Sequence, residues 1–172
     1  SCLPKDMKAL INFANTTGVT PTLLNAVEDV NTKQLEQIIS IIKKRLGNLT
    51  SKRITILGTA FKPNTDDIRD SISIELIKKL QKRNANIIIH DPKAMENTKR
   101  VFGNKIDYAK TVVDALSKSQ CVIIMTQWKE YEKLNNNQFG NMKRKFVIDS
   151  RRMLSDKQLD VDYFAIGLGK KD

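Results

Sequence analysis

From residue 53 onward, short apolar runs alternate with segments of helical period, and this constrains the chain more than any other feature. The runs are Arg53-Ile54-Thr55-Ile56-Leu57-Gly58, Asn86-Ile87-Ile88-Ile89-His90-Asp91-Pro92, Cys121-Val122-Ile123-Ile124-Met125, Phe146-Val147-Ile148-Asp149 and Tyr163-Phe164-Ala165-Ile166. Each is too short for an ordinary helix, and most are rich in β-branched residues. Their near-continuous apolar character is that of strands covered on both faces. Between them, Ser71 to Arg83 places Ile72, Leu76, Ile77 and Leu80 on one helical face. Val112 to Leu116 reads as a short helix, with further helical stretches around Lys129–Lys133 and Gln138–Met142. Strands alternating with helices predict an α/β domain with a parallel sheet and right-handed crossovers. Ligands of such sheets bind beyond the carboxyl ends of the strands. Those ends carry Gly58 to Lys62, Asp91-Pro92, Thr126-Gln127-Trp128 and Asp149 to Arg152.

Residues 1–49 follow a different pattern. Leu3, Met7, Leu10, Ile11 and Ala14 share one face of a helix over residues 3–15. Gly18 ends it, and Thr20-Pro21 starts a second helix, with Thr20 as N-cap and Pro21 at the first helical position. Leu24, Val27, Leu35, Ile38, Ile39, Ile42 and Leu46 carry that helix to Gly47, its C-cap residue. About 25 residues of helix span roughly 37 Å, more than a small domain covers by itself. The expectation is that it packs on a partner copy or on a domain outside this chain, the alternative being an ordinary core-facing helix. The start at Ser1, with no initiator Met, suggests a piece of a longer protein.

With 172 residues, 28% of them charged, and only 7 Gly and 4 Pro, the chain is neither disordered nor low-complexity. No apolar run reaches the roughly 18 residues of a membrane span. Thirty Lys+Arg against 19 Asp+Glu give a net charge of +11, which favours an anionic partner. The excess is spread over faces such as Lys43-Lys44-Arg45 and Lys78-Lys79, and aromatics make up only 6%. That distribution argues for solvated surface rather than a nucleic-acid interface. Two distant cysteines and one histidine form neither a disulfide framework nor a metal cluster. A reducing cytoplasm is the expected compartment.

The turn after the first strand holds only Gly58 of a G-x-G-x-x-G fingerprint, so the usual pyrophosphate loop is missing. Lys62 and Arg69 could supply positive charge to a diphosphate instead. Asp91 resembles a ribose-reading acid, although strand-ending Asp-Pro is also a common turn. His90 reads as a strand-closing residue, and Cys121 as a buried strand thiol. Cys2 differs, because Lys5 and Asp6 follow it by three and four residues, one helical turn away. A thiol, a cation and a carboxylate so spaced suit covalent chemistry on a carbonyl, with the carboxylate serving a water. Pro-Lys-Asp is equally an ordinary helix start.

Ser1-Cys2-Leu3-Pro4-Lys5-Asp6, followed by Met7-Lys8-Ala9-Leu10, resembles the catalytic-cysteine motif of the UDP-glucose 6-dehydrogenases, within the UDP-glucose/GDP-mannose dehydrogenase family. The run from Gly58-Thr59-Ala60-Phe61-Lys62-Pro63 to Asp70-Ser71 is similar to that family's second signature, and Asp91-Pro92, Thr126-Gln127-Trp128 and Asp149-Ser150-Arg151 fall where it has similar residues. The resemblance implies part of a central helical dimerisation region over residues 1–49. Over residues 50–172 it implies a UDP-sugar-binding domain with a parallel Rossmann-like sheet. The NAD-binding domain would lie upstream of Ser1, so the chain alone is expected to be inactive. It further implies oxidation of UDP-glucose to UDP-glucuronate by two hydride transfers to NAD, through a thiohemiacetal and then a thioester on Cys2. Asp6 would assist the hydrolytic water, Lys5 and Arg69 would contact NAD, and Phe61, Lys62 and Arg151 would hold the UDP-sugar. UDP-N-acetylmannosamine, GDP-mannose and a non-catalytic nucleotide-sugar-binding module remain the alternatives.

Overall fold

A computed structural model describes residues 2–167, with Cys2 described by its backbone alone. Six parallel strands form one sheet in the order β3-β2-β1-β4-β5-β6. They are β1 (Arg53–Leu57), β2 (Asn86–His90), β3 (Asp107–Tyr108), β4 (Cys121–Ile124), β5 (Phe146–Asp149) and β6 (Asp162–Ala165). The chain order reverses between β1 and β4, which pair from Ile54↔Cys121 to Leu57↔Ile124. This is the topological switch point, where a crevice opens at the carboxyl ends.

The apolar runs form the four central strands because each is buried on both faces; the side chains of β4 and β5 are buried throughout. One face packs under α2 (Thr22–Leu46) and α3 (Ile72–Gln81), through Leu35, Ile38, Ile39, Ile42 and Leu46 of α2 and Leu76, Ile77 and Leu80 of α3. Each such side chain removed from water contributes roughly 1.5–3 kcal/mol before entropy is counted. On the opposite face lie α5 (Val112–Leu116), α6 (Asn136–Phe139) and the segment holding Trp128 and Tyr131. Lys79 of α3 and Arg83, just past its end, reach Glu36 of α2, fastening the two helices at their rim.

Several elements depart from the expectations. The helix α4 (Met95–Phe102) and the two-residue β3 had no predicted counterpart. Ile72, expected to face inward, is exposed, because α3 starts there and its buried stripe begins at Ser73 and Ile74. Pro21 occupies the N-cap of α2 and Thr20 makes no side-chain cap; Gly47 closes the helix, its N–H donating to the Lys43 carbonyl. Helix α1 (Cys2–Thr16) forms as the spacing predicts, yet of its apolar face only Ile11 is buried, while Leu3 and Leu10 are exposed. Burial along α2 begins at Leu35, leaving Leu23, Val27 and Val30 in solvent.

Gly58 ends β1 at φ +93°, and a Cβ there would lie 2.5 Å from the Thr126 Cβ and 2.8 Å from its backbone N. Both the positive φ and the close approach require glycine. Gly58→Ala is expected to lower stability by about 3 kcal/mol or more, measured by urea unfolding. A loss under about 0.5 kcal/mol, the range of ordinary surface changes, would show that β1 and β4 do not approach so closely.

Candidate nucleotide crevice

The crevice is built from the turns that follow β1, β2, β4 and β5. After β4, the Met125 N–H donates to the Leu57 carbonyl, and the Thr126 hydroxyl donates to the Ala60 carbonyl at 2.7 Å. After β5, the Asp149 carboxylate accepts from the Arg151 and Leu154 N–H groups and from the Tyr163 hydroxyl, at 2.9, 2.9 and 3.0 Å. The tight turn sends the Arg151 side chain back across the end of β4, where its Nε donates to the Met125 carbonyl at 2.6 Å. Burial lowers the Arg151 pKa from its usual value; an arginine nonetheless keeps its charge at neutral pH. Arg151 therefore meets the same β4 turn that holds Ala60, next to Phe61 and Lys62. Phe61 is half-buried, and Lys62 is exposed with Nζ 5.3 Å from the Phe61 ring centre, within cation–π range. All three follow the carboxyl ends of strands, Phe61 and Lys62 after β1 and Arg151 after β5.

Arg69 lies further out on the loop between β1 and α3. Its Nε and Nη2 engage both oxygens of Asp67, at 3.0 and 2.7 Å. Bonds from the Arg69 guanidinium and then from its N–H hold the Asp67 carboxyl down at about 2. Lys5 and Asp6 are exposed near the start of α1, 3.6 Å apart. A groove of about 610 Å³ is lined by Pro4 and Met7 of α1 and by Ile68, Asp70 and Ile72, so α1 begins beside the loop carrying Arg69. The Cys2 side chain lies outside what the structure describes, and with it the expected convergence of thiol, cation and carboxylate.

Asp91 corrects an expectation. It is 2% exposed, and both oxygens are taken up by protein donors. Oδ2 accepts from the Thr59 and Ala60 N–H groups at 2.7 and 3.0 Å and from Trp128 Nε1 at 3.2 Å. Oδ1 accepts from the Lys93 and Ala94 N–H groups at 2.9 and 2.7 Å. A ribose-reading acid needs an accessible oxygen, and Asp91 offers none. The turn amides that would cradle a pyrophosphate in a dinucleotide fold are bound to this carboxylate, so the end of β1 does not fit NAD. Thr126 and Trp128, expected in the crevice, are buried in its framework, and of that triplet only Gln127 is exposed. The supporting roles of Asp149, Tyr163 and the Met125 carbonyl were not anticipated. A strand-ending Asp before a turn was the one available signal for them.

Residues 55–156 match the UDP binding domain of the UDP-glucose/GDP-mannose dehydrogenase family. The chain belongs to that family. It is 40% identical over 163 residues to the UDP-glucose 6-dehydrogenase AglM of Haloferax volcanii, covering 95% of this chain and 37% of the relative. It is 33% identical over 171 residues to the UDP-glucose 6-dehydrogenase YwqF of Bacillus subtilis, covering 97% and 39%. A UDP-glucose dehydrogenase structure from the hyperthermophilic archaeon Pyrobaculum islandicum superposes with a TM-score of 0.85 at 34% identity, over 95% of this chain and 36% of that one. The chain thus spans under two-fifths of the length of these relatives.

His90 closes β2 as expected. The Tyr131 hydroxyl donates to the His90 carbonyl at 2.8 Å and lies 3.0 Å from the imidazole Nδ1, which Glu130 Oε1 also approaches at 3.4 Å. Burial lowers the His90 pKa below 6.5, against the pull of Glu130 and Asp91. The unfolded chain then binds more protons than the folded one just below pH 6.5, so this contribution to stability is lost as pH falls through that window. In His90→Asn the amide can keep the bond to Tyr131 and does not titrate. The variant is expected to show a flatter stability profile just below pH 6.5; identical slopes would contradict the assignment.

Proposed function

We propose that the crevice at the ends of β1, β4 and β5 binds the nucleotide diphosphate of a UDP-sugar, UDP-glucose in particular. The observation that carries this reading is the placement of Arg151 across the end of β4, beside the turn of Phe61 and Lys62, at the switch point of a family UDP binding domain. A guanidinium and an ammonium at the rim of a partly buried crevice complement a diphosphate through charge-assisted bonds. The half-buried Phe61 ring offers an apolar wall beside them.

In the whole protein, we infer the NAD-dependent oxidation of UDP-glucose to UDP-glucuronate. Two NAD molecules in succession, held mostly by residues outside this chain with Lys5 and Arg69 at the edge, would each accept one hydride. Once the C6 alcohol has become an aldehyde, the Cys2 thiolate adds to it, forming a thiohemiacetal. Oxidation of that adduct leaves a thioester, and a water assisted by Asp6 cleaves the carbon–sulfur bond, releasing the carboxylate and restoring the thiol. The names of the relatives support UDP-glucose over other nucleotide sugars. A reducing cytoplasm would keep the thiol competent. The exposed apolar residues Leu3, Leu10, Phe13, Leu23, Val27 and Val30 support assignment of residues 1–49 to a helical region that dimerises through α2.

Two tests follow. By titration calorimetry, Lys62→Ala and Arg151→Ala are each expected to weaken UDP binding by about tenfold; unchanged affinity in both would remove the diphosphate from this crevice. In the full-length protein, Cys2→Ser is expected to abolish steady turnover, and near-normal turnover would exclude a covalent role for the thiol.

A further inference from the structure

We propose that Asp91 is the positioning residue of the crevice, a buried carboxylate that pre-sets the backbone presenting Phe61 and Lys62. The inference rests on the reading of those two residues as nucleotide contacts. Asp91 lies at the end of β2, one strand away from the turn it holds, and five donors converge on it. Three come from other strands' turns: the Thr59 and Ala60 N–H groups after β1 and the Trp128 indole after β4. Two come from its own turn, at Lys93 and Ala94. One side chain thus fixes three turns relative to each other, and the β1 turn is fixed immediately before Phe61.

Its chemistry admits no near substitute. A carboxylate is acceptor-only, and here each oxygen faces at least two N–H donors. An asparagine would have to turn its NH2 toward one of those sets, whichever way it flipped. A glutamate would carry the charge about one bond too far for a buried site without room. The turn is also tied from behind, because the Thr98 hydroxyl lies 2.8 Å from the Thr59 hydroxyl. Thr98→Val removes that bond and the one its hydroxyl makes to the Ala94 carbonyl at 2.8 Å. It weakens the same region while leaving the Thr59 and Ala60 amides on Asp91, which makes it the matched control.

Backbone amides organised before the ligand arrives cost no reordering when it binds. UDP affinity is measured by calorimetry for the wild type, Asp91→Asn and Thr98→Val, at a temperature where circular dichroism shows each folded. Asp91→Asn is expected to weaken binding about tenfold or more, and Thr98→Val less than about twofold. Equal affinity in Asp91→Asn and wild type, or an equal loss in both variants, overturns the proposal. If the wild type itself binds no UDP, it is the nucleotide reading that fails. Amide hydrogen exchange on the wild type covers the case in which Asp91→Asn does not fold. The Thr59 and Ala60 amides are expected to be protected before UDP is added, since the carboxylate is their acceptor. Fast exchange in the unliganded chain, with protection only in the presence of UDP, would assign those amides to the ligand and overturn the proposal.

Discussion

The crevice depends on how closely β1 and β4 run together where the chain order reverses. Gly58 has no side chain and adopts a backbone conformation that L residues rarely take, and Thr126 fills the space a Cβ would need. The Thr126 hydroxyl then bonds to the Ala60 carbonyl and the Met125 N–H to the Leu57 carbonyl. These bonds tie the β1 and β4 turns together, and the Arg151 bond to the Met125 carbonyl ties the β5 turn to them. A bulkier residue at Gly58 would push β4 outward and carry Arg151 away with it, because Arg151 is anchored on the Met125 carbonyl.

Two buried carboxylates do comparable work on either side of this contact. Asp91 ends β2 and Asp149 ends β5, and each accepts backbone N–H groups of the turn that follows. Burying a carboxylate is costly unless its lone pairs are filled, and here amide, indole and hydroxyl donors fill them. The negative charges are thereby turned inward, toward donors, while the cations Lys62 and Arg151 stand at the rim. That separation gives an acid-rich motif a surface suited to an anion. It also explains why a chain with a nucleotide-type sheet carries no glycine-rich pyrophosphate loop: the amides at that position are already bonded to Asp91.

The sequence made most of this fold legible, for a physical reason. Strands buried on both faces cannot tolerate polar alternation, so β1, β2, β4 and β5 stood out as apolar runs. The edge strand β3 is only Asp107-Tyr108, too short for alternation to show, and α4 is eight residues long with Thr98 and Phe102 as its buried residues, too few to stand out by spacing. Helical spacing identified α1 but could not show that Ile11 alone of its apolar residues would be buried within the chain. Phe61, Lys62 and Arg151 are proposed as contacts from their place in long motifs, and the structure sets each of them just beyond a strand end. Asp91 was misread because spacing along the chain reports distance from Gly58, whereas its role depends on donors 31 and 32 residues away in sequence. Asp149 shows the same limit, since its partner Tyr163 sits on another strand.

The claim on which the rest turns is that one rim, assembled from the turns after β1, β4 and β5, receives the nucleotide. It is tested most directly by titrating UDP into the isotopically labelled chain and following backbone resonances by nuclear magnetic resonance. The account predicts saturable shifts centred on Phe61, Lys62, Gln127 and Arg151, with α1 and the exposed half of α2 unmoved. Shifts centred on those helices instead, or none at all up to millimolar UDP (a Kd of about 1 mM being the weak limit of specific binding), would contradict it.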